Sequence, residues 1–149
     1  MSSVPTRSEI RVRRFEDADE DVVVALWQRC ALVRPWNDPR KDIARKRKVQ
    51  RELFLVAELE GAIVASAMGG YEGHRGWVNY LAVDVAHRGL GLGRALMSEL
   101  ETRLRALGCP KVNLQVRDDN AEALAFYGRL GYLRDAAVSL GKRLESDEA

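Results

Sequence analysis

Between Arg88 and Arg94 the chain places glycine at three alternate positions, Gly89, Gly91 and Gly93. Glycine in such numbers costs conformational entropy, so more than chain direction is being served. The stretch "VDVAHRGLGLGRAL" (83–96) joins an apolar, β-rich run to a leucine-periodic segment. A helix starting there presents unpaired N–H groups and a partial positive charge. A turn stripped of side chains lets an anion approach that backbone closely. The two arginines add donors suited to phosphate oxygens. The spacing therefore fits a pyrophosphate, with a tight, ligand-free strand-to-helix turn as the alternative. The dinucleotide pattern Gly-x-Gly-x-x-Gly fails in both registers, ending on Arg94 or on Leu96, and no Gly-Lys-Ser/Thr follows.

The elements that must hold this turn can be read from pattern. "EIRVRRF" (9–15) alternates as a strand, and Asp17 with Glu20 forms a capping box for a helix with Val23, Leu26, Trp27 and Cys30 on one face. "RPWNDP" (34–39) is a loop, and a second helix runs over roughly 40–51. "LFLVAELEGAIVASAMGG" reads as a hairpin turning at Glu60-Gly61, and "WVNYLAVDV", after the turn "YEGHRG", as a central strand. A helix with Leu96, Met97, Leu100, Leu104 and Leu107 on one face stops at Gly108 and Pro110. "KVNLQV" (111–116) is a further strand, followed by a helix capped by Asp119 and Glu122 and ended by Gly131. "YLRDAAVSLGKRL" supplies one or two last strands. The order is that of an α/β (α+β) domain over 9–143 with a mixed, largely antiparallel sheet, and 1–8 and 144–149 read as flexible termini.

Composition narrows the classes. The 149 residues, 46% hydrophobic and 31% charged, fit one domain with its own core. A net charge of +2 does not call for nucleic acid, and no apolar run reaches the ~18–20 residues of a membrane span. Cys30 and Cys109 have neither metal-site nor redox spacing, so no metal is expected. The "MSSVPTRSEI" start has no secretory apolar core, and the expected location is the cytoplasm.

The chain resembles the GNAT superfamily of acyl-CoA-dependent N-acetyltransferases. The family signature Arg/Gln-x-x-Gly-x-Gly/Ala matches Arg88, Gly91 and Gly93, and "NAEALAFYGRLGY" supplies Asn120, Ala123, Phe126, Tyr127, Gly131 and Tyr132 at the family's spacing. "LVRPWNDP", "MGGYEGHRG", "GCPK" and "SLGKRL" look like the YpeA group of small bacterial acetyltransferases. The resemblance implies a sheet of six to seven strands flanked by about four helices. It also implies acetyl-CoA as co-substrate. Backbone N–H groups over Gly89, Leu90, Gly91, Leu92, Gly93 and Arg94, with Arg88, would hold the coenzyme pyrophosphate. Pantetheine would lie like an extra strand in a gap where "NYLAV" diverges from "KVNLQV", bonding near Leu81, Ala82 and Val83 and to Asn120.

Amide formation from a thioester needs an unprotonated amine, a polarised carbonyl and a proton for the thiolate. An alkylamine pKa of ~10.4 means that a proton must be lost on binding, whereas a thiol of pKa ~8.5 departs with modest help. The resemblance makes Tyr127 the general acid and an N–H near Leu81 the oxyanion donor. Members of the family that acetylate ribosomal-protein alanine carry a carboxylate where this chain has Gln115, which takes no proton. The base is therefore open among Glu72, His74, Asp38 and a water held by Asn79 or Tyr80. On the acceptor side stand Trp36, Asp38 and Tyr80, with Trp36 alternatively plugging the core. "RKDIARKRKVQR" (40–51) carries seven basic residues in twelve, either a solvated face or a lure for an anionic partner.

Three functions follow. One is direct acetyl transfer from acetyl-CoA to a primary amine. Another is a non-catalytic acyl-CoA-binding or interaction module. The third is a nucleotide or nucleic-acid domain, disfavoured because the aromatics for base stacking are missing. A homodimer through the last strands is compatible with all three.

Overall fold

A computed structural model describes residues 9–148. Residues 1–8 and Ala149, read above as parts of flexible termini, lie outside the described residues. The elements in order are β1 (Ile10–Arg14), α1 (Glu20–Arg29), α2 (Pro39–Lys46), β2 (Phe54–Leu59), β3 (Ala62–Tyr71), β4 (Gly76–Val83), α3 (Leu92–Ala106), β5 (Val112–Leu114) and α4 (Ala121–Arg129). The strands form one sheet in the order β1-β2-β3-β4-β5, antiparallel throughout except for the parallel β4–β5 pair. No helix among the described residues is long and apolar enough to cross a membrane.

Alternation along the strands splits the core into two layers. Leu55, Ala57 and Leu59 face α3, where they meet Leu92, Leu96, Met97, Leu100 and Leu104. Phe54 and Val56 face the opposite side, against Val23, Leu26, Trp27 and Ile43. Of the stripe expected on the first helix, Val23, Leu26 and Trp27 are buried and Cys30 is half-buried beside them. The hairpin also turns at Glu60-Gly61, both with positive φ, as a two-residue primed turn requires.

Three local expectations are corrected. The first capping box joins Glu16 to Asp19, not Asp17 to Glu20, and encloses a short 3-10 turn before α1. α2 ends at Lys46, five residues early, with Asp38 as its N-cap and Pro39 in its first turn. Asn120, rather than Asp119, caps α4 by accepting from Ala123 N–H at 3.0 Å.

The larger correction concerns the sheet, which among the described residues has five strands rather than six or seven. "YLRDAAVSLGKRL" has strand-like alternation but finds no backbone partner, and among the described residues no backbone-to-backbone hydrogen bond involves 133–148. The tail beyond it is anchored by side chains. Asp147, buried, accepts from Asp38 N–H and from Arg45.

Candidate active site

The site is built at one irregularity in β4. Register between β3 and β4 shifts between Ser66 and Met68, and Tyr80 takes φ +51° in mid-strand. A non-glycine residue with positive φ is sparsely populated and persists only where its surroundings hold it. The effect on the strand is a change of face. Val78 points into the α3 layer, but Tyr80 and Ala82 point into the α1 layer, while Leu81 and Val83 take up the α3 side. A buried clamp secures it. Trp27 Nε1–H donates to Ser66 Oγ at 2.8 Å, Ser66 Oγ–H donates to the Tyr80 carbonyl at 3.0 Å, and the Trp27 and Tyr80 rings stack at 3.8 Å.

Beyond this bulge β4 pairs with no strand on its outer side among the described residues. β4 and β5 pair only over Gly76–Val78 against Val112–Leu114, so the strands part from Asn79 onward, as the resemblance led us to expect. Asp84 N–H donates to Val64 C=O at 2.8 Å, towards β3. Alternation then turns the backbone of Val83 and Leu81 the other way, into the gap. The Val83 carbonyl already accepts from Arg88 Nε at 3.2 Å and Cys30 Sγ at 3.3 Å. Arg88 thereby ties the end of β4 to the glycine turn.

The turn itself is open. Gly89 and Gly91 have φ of +83° and +86°, and a Cβ on either would meet no protein atom within 4 Å. Their glycine character answers to backbone conformation, with free space in front. Gly93 has a different reason: a Cβ there would stand 2.9 Å from Phe126 Cζ, so it lets α4 close on α3. Gly91 is the α3 N-cap with no side-chain cap bond, and the first turn holds no acidic residue. The first intrahelical bond is Ala95 N–H to Gly91 C=O, which leaves the Leu92, Gly93 and Arg94 amides without a backbone acceptor among the described residues. Fifteen residues of aligned peptide dipoles stand behind them.

α4, held by Phe126 on Gly93, positions Tyr127 edge-on to Phe126 at 5.1 Å and to Tyr132 at 5.7 Å. Burial pushes the Tyr127 phenol up to about 12, so it keeps its proton at neutral pH. Tyr127 and Leu81 pack on the same α3-side cluster. Asn120, at the head of α4, spends its Oδ1 on the cap.

On the opposite side of the sheet the Tyr80 hydroxyl donates to Asp42 Oδ2 at 2.6 Å. Burial first, then this bond and the charges of Asp42, Asp147 and Asp38, hold Tyr80 far above the ordinary phenol range. Asp38 caps α2, and Trp36 is 49% exposed, which excludes a core plug. Glu72 and His74 are not brought to the site. Both are exposed on the β3–β4 turn, roughly 13 Å of strand from Tyr80 at 3.3 Å per residue. Glu72 accepts from the His74 and Arg75 backbone N–H groups, which lowers its basicity.

The basic run is spent internally. Arg40 pairs with Glu20 and Asp21, Arg45 with Asp42 and Asp147, and Arg47 with Asp17 and Glu20. Lys46 is buried with its Nζ on the Gly69 carbonyl. Lys41 and Lys48 stay exposed, and Arg40 and Arg45 about half so, which makes the run a solvated face whose arginines are paired with carboxylates of this chain. Sequence reasoning missed Ser66 and Asp42. Each had a signal: Ser66 is the one polar residue in "AIVASAMGG", and Asp42 the one acid among seven bases.

Comparison with known proteins agrees with this geometry. Residues 21–132 match the model of the acetyltransferase (GNAT) family. An acetyltransferase of Sodalis glossinidius is 52% identical over 141 residues, covering 94% of this chain and 98% of that protein. The crystal structure of Ard1 from Thermoplasma volcanium superposes with a TM-score of 0.78 at 27% identity, over 86% of this chain and 85% of that one. The ribosomal-protein-S18-alanine N-acetyltransferase of Escherichia coli gives 0.69 at 25% identity, over 82% and 76%. The match over 21–132 and the relative 52% identical over nearly the whole chain show that the chain belongs to the GNAT family and is an N-acetyltransferase.

Proposed function

We propose that the protein transfers an acetyl group directly from acetyl-CoA to a primary amine of a small molecule or peptide. The observation that carries this is the run of bare amides at the α3 N-terminus opening onto free space beside an unpaired stretch of β4. A diphosphate fits the first and an extended amide chain the second. Leu90 to Arg94 and Arg88 would hold the diphosphate, and the Leu81 and Val83 backbone the pantetheine amides, with Asn120 Nδ2 facing the same arm.

The coenzyme supplies the acetyl group as a thioester. The chain's residues do the rest. The Leu81 N–H, aimed by the bulge, polarises the carbonyl as charge develops on oxygen. A C–N bond forms as the C–S bond breaks, and the Tyr127 phenol delivers its proton to the departing sulfur. The amine's own proton leaves on the Tyr80 side, through water at a phenol that already donates to Asp42. Trp36 and Asp38 border the acceptor's approach.

The experiment is release of free thiol from acetyl-CoA against a broad panel of primary amines, with coenzyme binding measured in parallel. Thiol release dependent on an amine supports transfer. Tight coenzyme binding with no release across the panel supports the non-catalytic module, which the absence of a carboxylate at Gln115 favours. Stronger thermal stabilisation by a nucleotide or oligonucleotide than by acetyl-CoA overturns both.

A further inference from the structure

Asp147 lies third from the end of the sequence, in a stretch that makes no backbone-to-backbone hydrogen bond among the described residues. Its apolar neighbours stay in solvent, Leu140 and Leu144 at 92% and 89% exposure, yet the Asp147 side chain is 1% exposed. The tail is therefore docked by polar groups and not by a hydrophobic contact. Asp147 Oδ2 accepts from Asp38 N–H at 2.9 Å and lies 3.1 Å from Arg143 Nη2. Arg45 grips the same carboxylate with both ends of its fork, Nη2 on Oδ1 at 2.6 Å and Nη1 on Oδ2 at 3.2 Å. Arg45 first, then the Asp38 N–H, hold the Asp147 carboxyl well below the ordinary carboxylate range, so it carries its charge.

The grip has a second end. Asp42 and Arg45 stand three residues apart on one face of α2, and the same Nη1 donates to Asp42 Oδ1 at 2.9 Å. Asp42 Oδ2 takes the Tyr80 hydroxyl at 2.6 Å. A line of polar contacts thus runs from Asp147 through Arg45 and Asp42 to the phenol on the acceptor side of the sheet. An ion pair on an arginine side chain that is 48% exposed adds little to stability. What a two-point grip fixes is direction. With Asp147 in place the guanidinium lies against α2 and both oxygens of Asp42 are engaged. Without it a long, half-exposed side chain is free to leave for water, and Asp42 loses the bond that aims Oδ2 at Tyr80.

We infer that Asp147 is a positioning residue for acetyl transfer: through Arg45 and Asp42 it keeps the Tyr80 hydroxyl hydrogen committed to Asp42, leaving the phenol oxygen to accept the proton that the amine gives up. A phenol whose single hydrogen is already donated presents only lone pairs to what approaches it. The proton passes from the amine nitrogen through water to the Tyr80 oxygen as the phenol's own hydrogen passes to Asp42 Oδ2. Asp42, partly open to solvent, returns that proton to water and the phenol is restored. The inference rests on the reading that the amine's proton leaves past Tyr80.

The first test needs no acceptor. The full chain, with its four tyrosines labelled at Cζ with carbon-13, is compared by NMR as wild type, Asp147→Ala and Asp147→Asn. The asparagine keeps an oxygen for the Asp38 N–H, so it spares the docking of the tail and removes the charge that holds Arg45. Loss of one resonance in Tyr80→Phe assigns Tyr80. In both Asp147 variants that resonance should move towards its position in Asp42→Asn, while those of Tyr71, Tyr127 and Tyr132 stay. An unmoved Tyr80 resonance, or all four moving together, overturns the inference. The second test uses an amine accepted in the thiol-release panel. Asp147→Asn should lower kcat by up to about 10²-fold, the usual scale for a misaimed group, with the KM for acetyl-CoA unchanged. In a Tyr80→Phe background the same substitution should leave kcat unchanged, whereas independent effects would add. An equal fall in both backgrounds, or one carried by KM, overturns the inference. A panel with no accepted amine refutes the transfer reading instead, and the Tyr80 resonance then decides the positioning by itself.

Discussion

Substituting Gly91 by alanine separates what a glycine does for its backbone from what it does for a ligand. Gly91 sits at φ +86° with open space around its missing Cβ, and Gly61, in the β2–β3 hairpin, sits at φ +80° with equally open space. In each the new Cβ meets no protein atom, so the cost is that of a left-handed L-residue, roughly 1–2 kcal/mol. For a domain of this length each kcal/mol lowers Tm by about 2–4 °C, which puts both variants about 2–8 °C below wild type. Their stability losses should match.

Their affinities should not. Gly91 is the N-cap of α3, directly before the Leu92, Gly93 and Arg94 amides, and a Cβ there would stand in free space that a bound diphosphate would share. A hydrogen bond to a charged group is worth about 1.5–3 kcal/mol, so displacing a diphosphate from one such amide weakens binding by about 10- to 150-fold. Calorimetric titration of Gly91→Ala, Gly61→Ala and wild type with coenzyme A reads this directly. Gly61→Ala should bind as wild type. Equal affinity in all three proteins, at equal loss of Tm, refutes a phosphate cradle at the start of α3.

Replacing Tyr127 by phenylalanine should lower kcat by about 10²–10⁴-fold, the usual range for a lost general acid, with coenzyme affinity within twofold; binding that falls with kcat makes Tyr127 a packing residue. Ser66→Ala leaves Trp27 Nε1–H and the Tyr80 carbonyl unpaired in a buried place, at about 1–3 kcal/mol in chemical denaturation. Its turnover should fall by more than its coenzyme affinity, because the Leu81 amide loses its aim. The Tyr127 phenol ionises near 12 in the fold against 10 in the unfolded chain, so the unfolded chain gives up that proton first. This contribution is intact below pH 10 and is lost as the pH climbs through 12, up to roughly 3 kcal/mol. Melting curves across that window should fall less steeply in Tyr127→Phe.

What the sequence made legible was local: pattern placed α1, α3, α4 and all five strands, and the glycine turn announced itself by spacing. What it hid were relations between distant segments. Alternation in 136–144 describes a strand's conformation, but a strand exists only with a neighbour, and among the described residues the backbone of that stretch pairs with none. The cationic run around α2 looks like a surface charge until Asp17, Glu20, Asp21 and Asp147 arrive from elsewhere in the chain. The bulge is the sharpest case. Nothing in "WVNYLAV" marks Tyr80 for positive φ, since tyrosine is a strand former and the run is apolar but for Asn79. The break lies in a mismatch of register between β3 and β4, held by a serine fourteen residues upstream and a tryptophan in a different element. The residue that turns the Leu81 amide into the gap is thus chosen by its partners, and the direction of that amide depends on packing that no single stretch of sequence encodes.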